Sequence, residues 1–119
     1  MPLNKVLVTG SCGLVGSEAA KYFTNLGCEV VGVDNNQRFR WFGKGGDTSP
    51  MRTALLQQSN YLHYPLNIME RDRIDAVVWN FKPDLVVHAA AQPSHEKSAE
   101  IPWEDFNVNA QGTVNLLEA

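Results

Sequence analysis

The sequence lacks the features that mark several classes of protein. Its 119 residues include only two cysteines, Cys12 and Cys28, and neither belongs to a CxxC pair or a Cys/His cluster. We therefore expect no disulfide framework and no metal site, and two free thiols are typical of the reducing cytoplasm. No apolar run approaches the length of a transmembrane helix. Because the chain passes almost directly into a predicted strand, we also expect no signal peptide.

The sequence also lacks a strong excess of charge of either sign. The formal net charge of −3 gives no reason to expect a nucleic acid or an acidic membrane surface as a partner. No internal repeat and no linker divides the chain. The apolar fraction of 44% and the charged fraction of 19% are those of a soluble globular protein, and the length suffices for one domain with a core.

The most informative stretch lies near the start, at residues 5–16. A short run of β-formers ends at Gly10, and Gly13 and Gly16 follow at a spacing of three. A short apolar run ended by glycine predicts a strand buried on both faces, as in a parallel sheet. Apolar residues then recur at helical spacing; they are Val15, Ala19, Phe23 and Leu26. The glycines are thus predicted to lie in a strand-to-helix turn.

Each of these glycines has a mechanical reason to be there. Gly10 allows the tight turn, Gly13 lets a phosphate approach the backbone, and Gly16 lets the helix pack close to the strand. Taken alone, a plain glycine turn explains the pattern about as well as phosphate binding. The next β-rich run ends in Asp34, however, and an acid about 20 residues past the glycines can bind both hydroxyls of an adenosine ribose. Together these features favour a dinucleotide site.

The rest of the chain alternates between helix and strand. We predict a long loop at 35–50, a helix at 51–58, an edge strand at 61–64 before Pro65, a helix at 70–81, a buried strand at 85–91, a loop at 92–102 and a helix at 105–119. This order predicts an α/β fold, specifically the N-terminal half of a Rossmann-like, doubly wound parallel sheet with strand order 3-2-1-4. The glycine turn and the three alanines that end the last strand should meet where the strand order reverses.

The loop at 35–50 mixes basic and aromatic side chains, which could suggest stacking on RNA. They are Arg38, Phe39, Arg40, Trp41, Phe42 and Lys44. The stretch is short, lacks repetition and directly follows the ribose-binding acid. Packing over the adenosine end of a cofactor, or over the body of the domain, is therefore the favoured interpretation.

Several motifs occur together in a fixed order and cover nearly the whole chain. They are Val8-Thr9-Gly10-x-x-Gly13-Leu14-Val15-Gly16, Asp34-Asn35, Pro83-Asp84-x-Val86-x-His88-x-Ala90-Ala91, Ser98-x-x-x-Pro102 and Asn109-x-x-Gly112-Thr113-x-Asn115-Leu116-Leu117-Glu118-Ala119. In these motifs the sequence resembles the extended short-chain dehydrogenase/reductases, specifically the NAD-dependent sugar-nucleotide epimerases and dehydratases. A narrower similarity to CDP-paratose and CDP-tyvelose 2-epimerases rests on Asp34-Asn35-Asn36 and Ala90-Ala91-Gln92.

The resemblance implies NAD as cofactor, a nucleotide-sugar substrate and, for the whole enzyme, a homodimer. It assigns cofactor-binding roles to Gly10, Gly13, Leu14, Val15, Gly16, Asp34, Asn35, Asn67, Ile68, Ala89, Ala90, Ala91 and Asn109. Asn67 departs from the family, which usually has aspartate there, but its amide oxygen can still accept from the adenine amino group. Of the histidines, His88 resembles a structural residue of the family, and His63 is predicted to lie on the strand surface. Ser94 and His95 are given at most a contact role beside the substrate.

One feature of the family is missing from these 119 residues. Its chemistry depends on a Tyr-x-x-x-Lys pair and a Ser or Thr, and no tyrosine here has a lysine four positions on. We therefore assign no catalytic residue and expect the chain to be a Rossmann domain, residues 1–119, truncated before the catalytic segment and inactive alone. The leading hypothesis is the NAD-binding part of an epimerase that transiently transfers a hydride to NAD. A dehydratase or reductase of the same family, and a stand-alone, non-catalytic nucleotide-binding module, are the alternatives.

Overall fold

The computed structural model describes residues 3–36, 39, 43–90, 103 and 107–119. Its elements in chain order are β1 (Lys5–Thr9), α1 (Leu14–Asn25), β2 (Glu29–Val33), α2 (Ser49–Leu56), β3 (Tyr61–Tyr64), α3 (Arg71–Phe81), β4 (Leu85–His88) and α4 (Gly112–Glu118). A 3₁₀ segment, Gly43–Gly46, precedes α2, and a π-helical segment, Asn107–Gln111, leads into α4. Within the ranges described, no helix is long and apolar enough to cross a membrane.

The four strands form one parallel sheet in the order β3-β2-β1-β4, which confirms the predicted order and the edge position of the third strand. Thr9 at the end of β1 lies level with Val33 of β2 and with His88 of β4. Because these three strand ends are aligned, the segments that follow them leave the sheet side by side. This edge of the sheet is where an α/β fold binds its ligands.

Each face of the sheet carries its own apolar cluster, because successive residues of a strand point to opposite faces. On one face, Val6 and Val8 pack with residues of α1 and α2, including Ala20 and Leu55. On the other face Leu7 packs with residues from β2, α3 and α4; these include Val31, Val33, Ile74, Val77 and Leu116. The continuous apolar run of β1 therefore serves two cores at once.

The predicted apolar face of the first helix is partly wrong. Val15 and Leu26 are 67% and 60% exposed, whereas Gly16 and Ala20 are buried. The small residues face the sheet because α1 lies too close to the glycine turn to admit larger ones there. Ala19 and Phe23 do pack against the core, as predicted.

The fourth strand is shorter and more exposed than predicted. It ends at His88 instead of residue 91, because its partner β1 ends at Thr9 and the chain then turns at Gly10. Leu85 and Val86 are 37% and 39% exposed. In the described part of the chain no strand covers the outer edge of β4, so these apolar side chains and the backbone beside them remain open.

The helix boundaries differ slightly from the predicted ones. α2 begins at Ser49 instead of residue 51, because the Asp47 side chain accepts hydrogen bonds from the Ser49 N–H and hydroxyl and Pro50 fits the first turn. α3 begins at Arg71, one residue later than predicted, and ends before Lys82 in the left-handed conformation. The predicted start of the last helix and the loop at 92–102, including Ser94, His95 and Ser98, lie outside the described residues.

Candidate cofactor site

The glycine turn after β1 meets the end of β4, as the sequence predicted. Gly10 has a φ of +65°, and its N–H donates to the carbonyl oxygen of Val33 at 2.7 Å. A Cβ at Gly10 would lie 2.8 Å from the nitrogen of Ala90. Both the left-handed conformation and this close approach require glycine at this position.

The N-terminus of α1 opens to the outside beside this turn. Gly13 is the N-cap residue and provides no capping side chain, so the first-turn N–H groups of Leu14, Val15 and Gly16 have no partner from a cap. The backbone of Gly13 is extended, with a φ of −80°, and a Cβ there would meet only the Gly10 oxygen, at 3.3 Å. The fold itself therefore tolerates a side chain at Gly13, which would project into the open space ahead of the helix.

Gly16 is different, because the protein itself occupies the place of a side chain. A Cβ on Gly16 would overlap the carbonyl of Gly10, with the carbonyl carbon at 2.6 Å and the Cα of Ser11 at 3.1 Å. The absence of a Cβ lets α1 lie directly against the turn. The predicted packing role of this glycine is thus confirmed.

Asp34 lies at the tip of β2 with its carboxylate fixed next to the glycine turn. One oxygen, Oδ2, accepts from the Cys12 N–H at 3.0 Å, and Oδ1 accepts from the Asn36 N–H at 2.7 Å. The residue is half-buried. Since two backbone donors hold the carboxylate, its remaining acceptor positions have a defined direction. Asn35 follows it and is also half-buried.

Asn36 anchors the chain that leaves Asp34, a role that the sequence did not reveal. It adopts a left-handed conformation, with a φ of 59°, which asparagine tolerates better than most residues. Its Oδ1 accepts from the N–H and the hydroxyl of Thr48, at 2.8 and 2.9 Å, and its amide nitrogen donates to Asp47 at 2.7 Å. The start of the loop is thereby tied to the start of α2.

Asn67 and Ile68 lie between β3 and α3. The Asn67 Oδ1 accepts from the Met69 N–H at 2.9 Å, and its own N–H donates to the Glu70 carboxylate at 2.9 Å. Ile68 is buried, and its carbonyl accepts from Asn115 of α4 at 3.2 Å. One of the two lone pairs of the Asn67 oxygen is thus used within the turn, and the other can take a further donor.

Thr9 organises the tip of β4. Its hydroxyl oxygen lies 3.1 Å from the Ala89 nitrogen and 3.2 Å from the Ala90 nitrogen, and accepts from both N–H groups. The same hydroxyl lies 2.7 Å from Nδ1 of His88, to which it donates. The two alanines are thereby held against the turn at Gly10. Ala91 lies outside the described residues.

His88 extends this network towards the last helix. Its Nε2 lies 2.9 Å from the Thr113 hydroxyl, which donates to the Asn109 carbonyl at 2.8 Å. All donors and acceptors match when His88 is neutral with its proton on Nε2, and burial lowers its pKa, which favours that form. The predicted structural role of His88 agrees with these contacts. The backbone of Asn109 is thereby linked to the strand tip.

The prediction that His63 lies on the strand surface is wrong. The residue is half-buried, with Nδ1 2.9 Å from the Tyr61 hydroxyl and Nε2 3.1 Å from the carbonyl oxygen of Asp34. An edge strand is usually more exposed. Here the carbonyl of Asp34, at the end of β2, lies against His63, a contact that strand patterning alone could not predict.

The two cysteines are free, as predicted, and the structure shows that both are buried. Burial, with a further contribution from the Asp34 charge, raises the pKa of the Cys12 thiol to about 11. Cys12 is therefore not a reactive thiolate near neutral pH. Among the residues that the structure describes, no group of three His, Cys, Asp or Glu side chains could hold a metal ion.

We expect the protein to lose thermal stability as the pH falls below about 6.5. Burial lowers the pKa of both His63 and His88 from the ordinary value of 6.5. The two imidazoles then take up protons more readily in the unfolded chain than in the folded one. Their contribution to the free energy of unfolding is therefore fully present above pH 6.5 and is lost as the pH falls through the folded-state pKa values. The pKa of Asp84 lies below 3.8, so this carboxyl keeps its charge throughout that window.

Melting temperatures across this range would test the expectation. A variant with His63→Gln and His88→Gln together should melt at a temperature that depends less on pH. A parent protein that became more stable on acidification would contradict the assignment of two histidines that stay neutral in the folded protein.

Comparison with known proteins identifies the family. Residues 6–119 match the NAD dependent epimerase/dehydratase family. The chain belongs to this family. The match includes the glycine turn, Asp34 and the strand tip at Ala90.

Individual relatives carry different activities in their names. The chain is 30% identical over 115 residues to a CDP-paratose 2-epimerase of Salmonella typhi, covering 97% of this chain and 32% of that protein. It is 30% identical over 118 residues to a dTDP-glucose 4,6-dehydratase of Neisseria meningitidis serogroup B, covering 98% of this chain and 31% of that protein. The chain thus spans about a third of the length of these relatives.

A similar structure is that of a UDP-glucose-4-epimerase from Stenotrophomonas maltophila with bound NAD and formylated UDP-arabinopyranose. It superimposes with a TM-score of 0.79 at 28% identity, covering 98% of this chain and 33% of that protein. The likeness confirms the predicted fold, a Rossmann-like parallel sheet of which this chain forms the N-terminal part.

Proposed function

We propose that residues 1–119 are the NAD-binding part of a sugar-nucleotide epimerase. One observation carries the proposal: the uncapped N-terminus of α1 at Gly13 lies beside an Asp34 carboxylate held by two backbone N–H groups. Such a helix end attracts a phosphate, and such an acid accepts from ribose hydroxyls. Family membership and the NAD-bound epimerase structure support the same cofactor.

The residues present fit each part of the cofactor. The first turn of α1 would donate to the pyrophosphate through Leu14 and Val15, over the space that the missing Cβ of Gly13 leaves open. Asp34, with Asn35, would hold the adenosine ribose. The family resemblance assigns the remaining contacts: Asn67 and Ile68 would lie at the adenine, Ala89, Ala90 and Ala91 would line the pyrophosphate and nicotinamide-ribose path, and Asn109 would help to fix the cofactor.

NAD supplies a carbon that can accept a hydride from a sugar and return it. This chain's own residues bind and orient the cofactor. No Tyr-x-x-x-Lys pair that could move protons occurs in the 119 residues, so we propose that the whole protein carries it in a further segment. The substrate would be a nucleotide sugar, and the enzyme would be a cytoplasmic protein and form a homodimer.

A dehydratase is the second candidate, because a relative with that name is as similar as the epimerase. The two reactions are distinguished by their products. Incubation of the whole enzyme with CDP-, dTDP- and UDP-sugars, followed by NMR, would show either a stereoisomer of the substrate or a product that has lost water. A reading frame without any Tyr-x-x-x-Lys would instead favour a stand-alone nucleotide-binding module.

We expect NAD to bind at least tenfold more tightly than NADP. The Asp34 carboxylate would lie next to the extra 2′-phosphate, and such like-charge pairs cost several kcal/mol. Arg38 and Arg40 could partly offset this, but they lie on the loop and outside the described residues. Calorimetric titration with both cofactors measures the ratio of the two affinities. We expect the Asp34→Asn variant to show a smaller preference for NAD. Equal or tighter binding of NADP would refute the proposed role of Asp34.

A further inference from the structure

A buried chain of hydrogen bonds connects the glycine turn to Asp34 through the edge strand β3. The Ser11 hydroxyl lies 2.8 Å from the Tyr61 hydroxyl, and the latter lies 2.9 Å from Nδ1 of His63. Nε2 of His63 lies 3.1 Å from the carbonyl oxygen of Asp34. Ser11 is fully buried and Tyr61 is 6% exposed, so these groups have no easy exchange with water.

The donor and the acceptor of each hydrogen bond can be assigned by starting from the Asp34 end of the chain. The Asp34 carbonyl oxygen can only accept, so Nε2 of His63 carries the proton. Nδ1 of a neutral imidazole is then an acceptor, and the Tyr61 hydroxyl donates to it. The same hydroxyl has an oxygen left to accept from Ser11. Tyr61 therefore fixes the tautomer in which His63 donates to Asp34.

The neighbouring strand is shaped to admit this network. Gly32 lies in the buried strand β2, where glycine is less favourable than alanine. A Cβ on Gly32 would overlap the Tyr61 hydroxyl and lie 2.5 Å from the Ser11 Oγ. The φ of Gly32 is not positive, so backbone conformation does not explain the glycine. Glycine is explained instead by the space that the Ser11 and Tyr61 hydroxyl groups occupy beside it.

Asp34 is thus held from two sides. The glycine turn holds its carboxylate through Cys12, whereas β3 holds its main chain: the Asp34 N–H donates to the Tyr64 carbonyl at 3.3 Å, and its own carbonyl accepts from His63. The His63 bond is the more direct control on the peptide that follows Asp34. Without it, the main chain at Asp34 is held less firmly, and the carboxylate, which the Cys12 and Asn36 N–H groups still contact, is less closely confined to its present direction.

We infer that His63, locked by Tyr61, is a positioning residue that aims the Asp34 carboxylate at the adenosine ribose. The inference rests on the proposed NAD site. His63 itself touches no cofactor. It acts through the main chain of Asp34, and Tyr61 acts through His63. Strand β3 therefore contributes to ribose recognition although the family resemblance assigned no residue in it.

The test compares ADP with 2′-deoxy-ADP by calorimetric titration of the whole protein. The two nucleotides differ in one hydroxyl that an aimed carboxylate accepts from, so the parent should bind ADP about tenfold more tightly. If His63 had only a structural role, its substitution would weaken the binding of both nucleotides alike and leave the ratio of their affinities unchanged. If His63 directs the carboxylate at the ribose, its substitution would lower that ratio.

Two substitutions separate the two bonds of the imidazole. In His63→Gln, the amide nitrogen of glutamine can donate from the position of the histidine Nε2. We therefore expect this variant to keep the tenfold preference for ADP over 2′-deoxy-ADP. Asn in His63→Asn can accept from Tyr61 but is too short to reach Asp34, so its ratio should fall to about twofold. Tyr61→Phe removes the group that fixes the tautomer and should give about threefold.

The possible failures are distinguishable. If the parent binds neither nucleotide, the proposed NAD site falls, and this inference falls with it. If the parent discriminates tenfold and folded His63→Asn does so too, only the positioning role is overturned. Circular dichroism and thermal melting establish folding. Should His63→Asn not fold, a lost ratio in His63→Gln or an unchanged ratio in Tyr61→Phe overturns the role equally well.

Discussion

Gly13→Val should lose NAD affinity by about a hundredfold or more while the protein stays folded. The valine side chain would project into the space ahead of α1 that we assign to the pyrophosphate, and it would separate the phosphates from the first-turn N–H groups. Losing two hydrogen bonds to a charged group costs roughly 3 kcal/mol or more, which is a factor of at least a hundred.

The fold should survive this change for two reasons. The backbone of Gly13 is extended, with a φ of −80° and a ψ of 179°, a conformation that valine adopts readily. Its Cβ would meet only the Gly10 oxygen, at 3.3 Å, so we expect a cost of about 1 kcal/mol. Calorimetry with NAD and a thermal melt measure the two effects separately.

Gly45→Val is the matched control. Gly45 is exposed within the 3₁₀ segment, and nothing in the described structure lies within 4 Å of a Cβ built on it. The same substitution there should leave both NAD affinity and melting temperature close to those of the parent. If Gly13→Val bound NAD like the parent, the glycine turn would not be the phosphate site.

Gly16→Ala should destabilise the protein strongly, by about 3 kcal/mol or more. Helix propensity alone predicts the opposite sign, because alanine is favoured over glycine inside a helix by roughly 1 kcal/mol. We expect packing to outweigh this helix propensity, because the new Cβ would overlap the carbonyl of Gly10. Real Cβ atoms essentially never come within 3.0 Å of a heavy atom to which they are not bonded in this way. The neighbour is backbone within a tight turn and cannot give way, so α1 must move off the sheet.

Urea unfolding of Gly16→Ala, compared with Gly13→Ala, measures this effect. Both substitutions add one methyl group to the same turn, three residues apart, so their difference isolates the packing of α1 on Gly10. We expect Gly13→Ala to lie within about 1 kcal/mol of the parent. A Gly16→Ala protein as stable as the parent would mean that α1 can shift freely, contrary to the close packing described above.

Some details could not be predicted because they depend on what lies beside a residue in space. The spacing of Val15 and Leu26 correctly predicted a helix but not which of its sides faces the sheet. Small residues face the sheet because of the close approach at Gly16. Similarly, the alternation along β3 could not show that His63 contacts Tyr61 and the carbonyl of Asp34 and is half-buried.

The amino-acid sequence is sufficient to predict the order of the elements, the glycine turn, the position of Asp34 at a strand tip and the family. These follow from local periodicity and from the conformational freedom of glycine, which act over a few residues. The three-dimensional packing is needed to show which glycine serves packing and which leaves open space, and that Ser11, Tyr61 and His63 form one network. Residues 50 positions apart come into hydrogen-bonding distance only when β2 and β3 pair, and no local pattern encodes that distance.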